Sequence, residues 1–198
     1  NVDFEGRSVT FRRIVMPMIE DDKKMATWLD TIEIDAVVCS GSKKNVSMWE
    51  DWMAPSASLV RASAKSGIPT LGICFGHQLL CHALGGKIER ADSLSSGIWD
   101  LDLTSEGADD ELLTSHISKG NTVAGLFTHQ DHVMTLPDSC RLLCSTSHNG
   151  VTAVRVFSDD GEKLPAWGLQ FHPEAARARI ERAHEWGHIT DEELASFK

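Results

Sequence analysis

Short apolar runs rich in β-branched residues alternate with longer amphipathic stretches in the first half of the chain. The apolar runs predict strands at residues 9–18, 34–39 and 70–74. The amphipathic stretches predict helices at residues 22–31, 48–66 and 77–84. Pro55 suits a first helical turn, and Gly85 suits the C-terminal end of the third helix. This alternation predicts a parallel sheet with helices on both faces.

The pattern in the second half of the chain is more hairpin-like. It predicts strands at residues 88–90, 98–103, 121–127, 132–136, 141–147, 151–157 and 166–170. Two helices follow at residues 175–187 and 190–197, and Thr190 and Glu193 have the spacing of a capping box at the start of the second. We expect one α/β domain over residues 1–198, with a mostly parallel central sheet and an antiparallel extension.

Composition narrows the choice of partners and compartment. The 198 residues carry a formal net charge of -10, which argues against non-specific binding to nucleic acid or to an anionic membrane. We expect no membrane span and no secretion signal, because no apolar run approaches about 18 residues. The five cysteines are odd in number and lack a CxxC pair, which indicates a reduced, cytoplasmic protein without a disulfide framework or a metal site.

The segment at residues 91–118 contains seven acidic residues and neither Lys nor Arg. A solvated acidic edge explains it most simply, and a docking surface for a basic partner is the alternative. A solvated helix face is likewise the simple interpretation of the basic residues Arg177, Arg179 and Arg182. Core packing is the simple interpretation of Cys39 and Cys81. Trp49 and Trp52 would share one helical face, where they could pack or touch a partner.

A glycine-flanked cysteine stands between a predicted strand and a predicted helix. Gly72, Cys74 and Gly76 form the cysteine version of the nucleophile elbow, a tight turn in which larger neighbours would collide. The turn lifts the sulfur out of the sheet, and the N-terminal end of the following helix favours the thiolate. We therefore predict that Cys74 is a catalytic nucleophile; a small buried core cysteine is the alternative.

A cysteine nucleophile needs a base, and the base needs a group that orients it. The predicted strand at residues 166–170 leads directly to His172, Pro173 and Glu174. His172 would then lie at the sheet edge where ligand sites of open α/β sheets are found. Pro173 fixes the backbone so that Glu174 can turn back and hold the imidazole. We predict a Cys74-His172-Glu174 catalytic triad.

The segments GICFGHQLL at residues 72–80 and GLQFHPE at residues 168–174 resemble those of the class I glutamine amidotransferases. The resemblance covers residues 34–174 and implies a three-layer α/β/α flavodoxin-like fold. The segments SGS at residues 40–42 and THQDHV at residues 128–133 are most similar to the stand-alone, GMP-synthase-like branch that includes γ-glutamyl peptidases. Two departures are Ser42 and Lys43 where many members have glycine and proline, and the absence of a recognisable apolar first strand before Val9.

The resemblance implies a reaction as well as a fold. Cys74 would attack the γ-glutamyl amide and form a thioester, with no cofactor and no metal. His172 would transfer the protons and Glu174 would orient it. The resemblance further implies an oxyanion and substrate site, which we expect to comprise Gly41, Ser42, Phe75, Gln78, His129 and Asp131.

Three functions remain open at this stage. The first is an independent hydrolase of glutamine or of a small γ-glutamyl compound. The second is a glutaminase subunit that supplies ammonia to a separate synthetase, since the chain contains no P-loop or other nucleotide-binding signature of its own. The third is a catalytically silent binding or regulatory protein.

Overall fold

The computed structural model describes residues 2–4, 7–9, 15–114, 123–175 and 177–196. Its strands are β1 (Val2–Phe4), β2 (Arg7–Val9), β3 (Val37–Cys39), β4 (Thr70–Ile73), β5 (Lys87–Asp100), β6 (Asp102–Leu103), β7 (Ala124–Thr135), β8 (Cys140–Thr146), β9 (Asn149–Phe157) and β10 (Lys163–Leu169). Its helices are α1 (Asp22–Ile32), α2 (Met53–Lys65), α3 (Phe75–Ala83), α4 (Ser105–Ala108), α5 (Glu111–Thr114), α6 (Arg177–Glu185) and α7 (Asp191–Ser196).

Six strands form the central sheet, in the order β3-β4-β10-β9-β8-β6. β3, β4 and β10 pair in parallel, whereas β9, β8 and β6 continue the sheet antiparallel. A separate antiparallel ribbon joins β5 to β7, and β1 pairs with β2. The predicted α/β architecture, in which a parallel sheet carries an antiparallel extension, is confirmed.

Both faces of the sheet are covered, as strands with apolar residues on two sides require. On one face, α2 and α3 bury Met53, Leu79 and Leu80 against Val154 and Val156 of β9. α1 packs on the outer side of α2. On the other face, Leu113 of α5 and Phe127 of β7 pack with Ala153 and Leu169. The alternation of Ala153 and Val154 between the faces is the two-residue period of a strand.

Two predicted elements in the first third of the chain differ from those in the structure. β2 ends at Val9, and residues 15–18 have no regular structure, so the predicted strand at 9–18 is wrong there; residues 10–14 lie outside the described part. The helix predicted at residues 48–66 begins only at Met53. This start places Pro55 in the first turn of the helix. In a helix that began at residue 48, the ring of Pro55 would collide with the carbonyl four residues earlier. Trp49 and Trp52 therefore precede the helix.

Four predicted strands merge into the long ribbon of β5 and β7. The predicted strands leave residues 91–97 and 128–131 unassigned. In the structure, residues of these two stretches pair with each other: Ser95 lies opposite His129 and Ser96 opposite Thr128. The capping box is confirmed, since Glu193 N–H donates to Thr190 Oγ1 at 3.2 Å and Thr190 N–H donates to Glu193 Oε2 at 2.7 Å.

A buried ion pair ties the antiparallel half of the sheet to α5. Arg155 Nη1 lies 3.0 Å from Asp110 Oδ2, and both side chains are almost completely buried. The guanidinium stacks 3.9 Å from the ring centre of Trp167, whose Nε1 donates to Asp110 Oδ1 at 3.0 Å. Glu111 also contacts Arg155 at 2.7 Å, but from the surface.

We expect Arg155→Leu to lower the free energy of unfolding by about 3 kcal/mol, because it leaves the Asp110 carboxylate buried without its main counter-charge. Urea denaturation measures this difference. The matched control is Arg141→Leu, since Arg141 lies directly opposite Arg155 in the β8–β9 ladder but stacks on Phe157 at 5.2 Å and donates to the backbone carbonyls of Asp138 and Cys140. The expectation would be contradicted if Arg155→Leu lowered the free energy of unfolding by no more than Arg141→Leu does.

Candidate active site

Three adjacent parallel strands end at one edge of the sheet, and each leads to a residue of the candidate site. β3 ends at Cys39 and is followed by Gly41 and Ser42. β4 ends at Ile73, directly before Cys74. β10 ends at Leu169, three residues before His172. The carboxyl edge of such a sheet is where open α/β folds place their ligands.

The backbone at Cys74 is strained, as the sequence predicts. Its φ of 52° and ψ of -102° put a non-glycine residue in a sparsely populated region. A Cβ on Gly72 would lie 2.4 Å from the carbonyl oxygen of Gly76, and a Cβ on Gly76 would lie 2.0 Å from the carbonyl oxygen of Cys39. Both positions therefore require glycine. α3 begins at Phe75, so its N-terminal end is directed at Cys74.

His172 and Glu174 contact each other through a short turn after β10. The backbone N–H of His172 donates to Leu126 O at 2.9 Å, which attaches this segment to β7, and Ala175 N–H donates back to His172 O at 3.1 Å. The turn brings Glu174 Oε1 to 2.8 Å from His172 Nδ1. Nδ1 is the ring nitrogen that faces Glu174, so Nε2 is the one left for other chemistry.

Gly41 shows that the three strand ends converge. A Cβ built on Gly41 would lie 3.1 Å from His172 Cε1 and 3.6 Å from Cys74 Cβ. Cys74 and His172 are each only 6% exposed. Both open onto one cleft of about 750 Å³, which Gly41, Ser42 and Phe75 also line.

Burial dominates the electrostatics of the two central groups. It raises the pKa of the Cys74 thiol to about 11, although the Phe75 backbone N–H and the charge of Arg179 act in the opposite direction. Burial also lowers the pKa of His172, although the hydrogen bond that His172 donates to Glu174 raises it. The helix end acts in the direction expected from the sequence but is outweighed, so the free site holds a neutral thiol beside a neutral imidazole.

A family model described as glutamine amidotransferase class-I matches residues 1–183. The chain belongs to this family. GMP synthase (glutamine-hydrolyzing) of Thermus thermophilus is 39% identical over 118 residues, which are 56% of this chain and 20% of that protein. The same enzyme of Porphyromonas gingivalis is 33% identical over 145 residues, 73% of this chain and 26% of that protein. The amidotransferase chain thus spans about a quarter or less of the length of these relatives.

Solved structures support the same fold. A glutamine amidotransferase from Thermotoga maritima superposes with a TM-score of 0.65 at 20% identity, over 83% of this chain and 70% of that one. A glutamine amidotransferase from Methylobacillus flagellatus gives a TM-score of 0.61 at 17% identity, over 77% of this chain and 57% of that one. The amidotransferase chain has the three-layer, flavodoxin-like architecture.

Gln78 and Asp131 of the expected substrate set make internal hydrogen bonds. Gln78 lines the cleft, and its Nε2 donates to Asp131 O at 2.8 Å and to Gln170 Oε1 at 3.0 Å. The completely buried Asp131 carboxylate accepts from the N–H and the hydroxyl of Ser47, both at 2.7 Å. Asp131 therefore anchors the loop that follows Gly41 and Ser42.

Three residues at the site were not predicted from the sequence to belong to it. Ser47 lies 84 positions from Asp131, and no local pattern connects them. Gln170 is completely buried beside Gln78, and its only sequence signal is its place two residues before His172. Arg179, which was interpreted as part of a solvated helix face, donates to Glu174 Oε1 at 2.6 Å and lines the cleft.

Within the described ranges, no three His, Cys, Asp or Glu side chains are arranged to hold a metal ion. No described helix is long and apolar enough to cross a membrane.

Cys81 is completely buried beside α2 and the sheet, as core packing predicts. Residues 115–118 of the acidic segment at 91–118 lie outside the described residues. Most of the acidic side chains of this segment are exposed, as a solvated edge predicts, but Asp110 is completely buried and pairs with Arg155, so the predicted solvated edge is wrong there.

His129 lines the cleft and is itself buried beside two partly buried imidazoles, those of His132 and His148. Its ring centre lies 4.8 Å from that of His132 and 5.9 Å from that of His148. Its Nε2 contacts Asn149 Nδ2 at 3.3 Å, so the amide donates and Nδ1 carries the proton. Burial, followed by the neighbouring histidines, lowers the pKa of His129 to about 3. The folded protein therefore keeps this ring neutral.

This depressed pKa predicts destabilisation by acid. Between the ordinary pKa of 6.5 and the folded value of about 3, the unfolded chain binds a proton that the folded chain does not, so stability falls as the pH falls. We expect His129→Gln, which keeps an acceptor for Asn149, to reduce the slope of unfolding free energy against pH by about 1.4 kcal/mol per pH unit between about pH 5.5 and 4. Urea denaturation across that range measures it, and identical slopes for the two proteins would contradict it.

Proposed function

We propose that the chain hydrolyses the γ-glutamyl amide bond of glutamine or of a small γ-glutamyl compound, with Cys74 as nucleophile. The convergence of Cys74, His172 and Gly41 at the ends of three neighbouring strands carries this proposal. Family membership supports the reaction class, because the relatives are named as glutamine-hydrolysing enzymes.

The first half of the reaction forms a thioester. His172 Nε2 takes the proton of the Cys74 thiol as the sulfur bonds to the amide carbon. The C–N bond then breaks, and the imidazolium returns the proton to the leaving ammonia or amine. A neutral imidazole whose Nδ1 is held by Glu174 at 2.8 Å is the form that can accept the first proton. Glu174 stabilises the positive charge that the ring carries between the two transfers.

The second half removes the glutamyl group. His172 takes a proton from water, the resulting oxygen attacks the thioester carbon, and the C–S bond breaks to release glutamate and restore the thiol. In both halves an oxyanion develops on the former carbonyl oxygen. The Phe75 N–H, at the N-terminal end of α3, and the N–H groups of the Gly41 and Ser42 segment are the donors we assign to it. Gly41 lies close enough to Cys74 to take this role.

The size of the cleft favours a substrate larger than glutamine. A cleft of about 750 Å³ lies in the range of sites for drug-sized ligands. Its mouth includes the exposed apolar side chains of Leu94 and Trp186, which would contact the leaving group and not the γ-glutamyl part. Arg90 also lines the cleft, where its guanidinium donates to Gln130 Oε1 and Met48 Sδ. A γ-glutamyl peptide would use all three side chains.

A glutaminase subunit of a separate synthetase is the second candidate. The observation in its favour is the similarity to GMP synthases over 118 to 145 residues. Under this proposal ammonia is the leaving group and a partner subunit consumes it. The two candidates share Cys74, His172 and Glu174 and differ in what occupies the outer part of the cleft.

Glutamate release from glutamine and from a panel of γ-glutamyl dipeptides separates the candidates, with Cys74→Ser as the blank. Release mainly from dipeptides supports the peptidase. Release mainly from glutamine supports the glutaminase, and a search for its synthetase partner follows. If a cooperatively folded protein releases glutamate from none of them, hydrolysis of these substrates by the isolated chain is ruled out, and either a glutaminase subunit that is inactive without its synthetase or a binding role takes its place.

A further inference from the structure

One oxygen of Glu174 accepts two hydrogen bonds from charged or chargeable donors. His172 Nδ1 lies 2.8 Å from Oε1, and Arg179 Nη1 lies 2.6 Å from the same atom. The Glu174 side chain is 44% exposed. A carboxylate with this exposure can rotate into water unless a second contact holds it toward the imidazole, and Arg179 supplies that contact.

Arg179 is held in place by the packing of its own helix. The next residue, Ile180, is buried with Ala183, Leu126 and Ile189, and this contact fixes the rotation of α6 about its axis. Arg179 consequently faces Glu174 and the cleft. Arg177 on the same helix is far more exposed and pairs with Glu181 within the helix. The two arginines thus occupy different environments although they lie two residues apart.

We propose that Arg179 is a positioning residue of the active site, which fixes the Glu174 carboxylate against His172 and places a permanent positive charge beside the imidazole and the thiol. The inference rests on the proposed roles of Cys74, His172 and Glu174. It adds a residue that acts through Glu174, and it assigns no direct contact with substrate to Arg179.

The charge of Arg179 shifts the pKa of His172 and the pKa of Cys74 in the same direction. It lowers the pKa of His172, in addition to the larger effect of burial, and it also lowers the pKa of Cys74 against burial. Removing the charge should therefore move both titrations to higher pH. Besides Cys74, His172, Glu174 and Arg179 itself, the charged or titratable groups that line the cleft are Lys43, Lys44, Arg90, His129 and His188. All of them stay unchanged in an Arg179 variant, so a shift reports on Arg179.

Two substitutions separate charge from geometry. Arg179→Gln keeps a hydrogen-bond donor and removes the charge, whereas Arg179→Lys keeps the charge and loses the planar fork. Arg177→Gln is the matched control, because it removes an arginine–glutamate pair from the same helix away from Glu174. The first measurement is kcat/KM against pH for the best γ-glutamyl substrate. The second is the rate of Cys74 alkylation by iodoacetamide against pH, corrected with Cys74→Ala, which requires no turnover.

For Arg179→Gln we expect the midpoint of the acid limb of kcat/KM and the midpoint of the alkylation profile to rise by roughly half a pH unit each. Both shifts should become smaller at high salt, because salt screens the charge of Arg179. Arg179→Lys and Arg177→Gln should keep the wild-type midpoints. A fall of kcat/KM at every pH with unchanged midpoints would overturn the proposal and indicate a merely structural role. A rise in KM alone would overturn it in favour of direct substrate binding. If no substrate is hydrolysed, the proposed function fails, but the alkylation profile still decides the role of Arg179.

Discussion

Cys74→Ser is expected to lower γ-glutamyl hydrolysis about a thousandfold or more, with little change in thermal stability. A serine hydroxyl is a much weaker acid than a thiol. The base that would have to activate it is an imidazole whose pKa burial has already lowered. The oxygen is also smaller than sulfur, so it lies farther from the substrate carbon in the same strained turn. The remaining activity would come from substrate binding and the oxyanion donors.

The matched control for this prediction is Cys144→Ser. Cys144 is completely buried, but it lies on β8 and its sulfur contacts Thr152 Oγ1 at 3.2 Å. A serine there would have a hydroxyl partner and should leave the specific activity unchanged. Steady-state glutamate release and thermal melts of both variants check the pair. Substantial activity in Cys74→Ser would remove the basis for a thioester mechanism.

Gly76→Ala is expected to destabilise the fold by more than about 4 kcal/mol, beyond the range of most single substitutions. The added Cβ would lie 2.0 Å from the carbonyl oxygen of Cys39 and 2.9 Å from the Cys39 Cβ. The first of these atoms belongs to the backbone of β3, which is paired along its length with β4. It cannot move away without separating α3 from the sheet, so relaxation is limited.

Gly150→Ala provides the comparison for Gly76→Ala. A Cβ at Gly150 would meet no atom within 4 Å, and its φ lies outside the left-handed region. Urea denaturation of the two variants should show a near-neutral change at Gly150 and loss of most of the folded population at Gly76. A Gly76→Ala protein with wild-type stability would mean that α3 does not approach β3 as closely as the structure places it.

Several features of the site could be predicted from the sequence because each depends on only a few neighbouring residues. Gly72 and Gly76 predict a tight turn at Cys74, and the structure has a positive φ there. Pro173 between His172 and Glu174 predicts that the carboxylate turns back, and the two side chains lie 2.8 Å apart. The family resemblance, which rests on the same segments, is confirmed. The catalytic roles of these residues stay a prediction that the substitutions above test.

The parts that sequence reasoning missed depend on distant partners. The predicted strands end before His129 and begin again after it, yet in the structure the residues around His129 continue β7, because they pair with β5 and line the cleft. α4 and α5, with four residues each, are too short to show a helical period. α2 begins at Met53 and not at residue 48, because Pro55 is tolerated in the first turn of a helix but not in its interior.

By itself, the sequence determined the strand–turn–helix around Cys74, the His172-Pro173-Glu174 turn, the helix caps and the α/β class, since each depends on local sterics or on hydrophobic period. Only the tertiary structure decided which side chains meet across the site. Asp131 holds Ser47, Arg179 holds Glu174, and burial raises the pKa of the Cys74 thiol. Ser47 and Asp131 lie 84 positions apart, whereas Arg179, only five positions from Glu174, faces it because Ile180 packs against Leu126 of β7. Long-range contacts and the exclusion of water leave no local pattern in the order of residues.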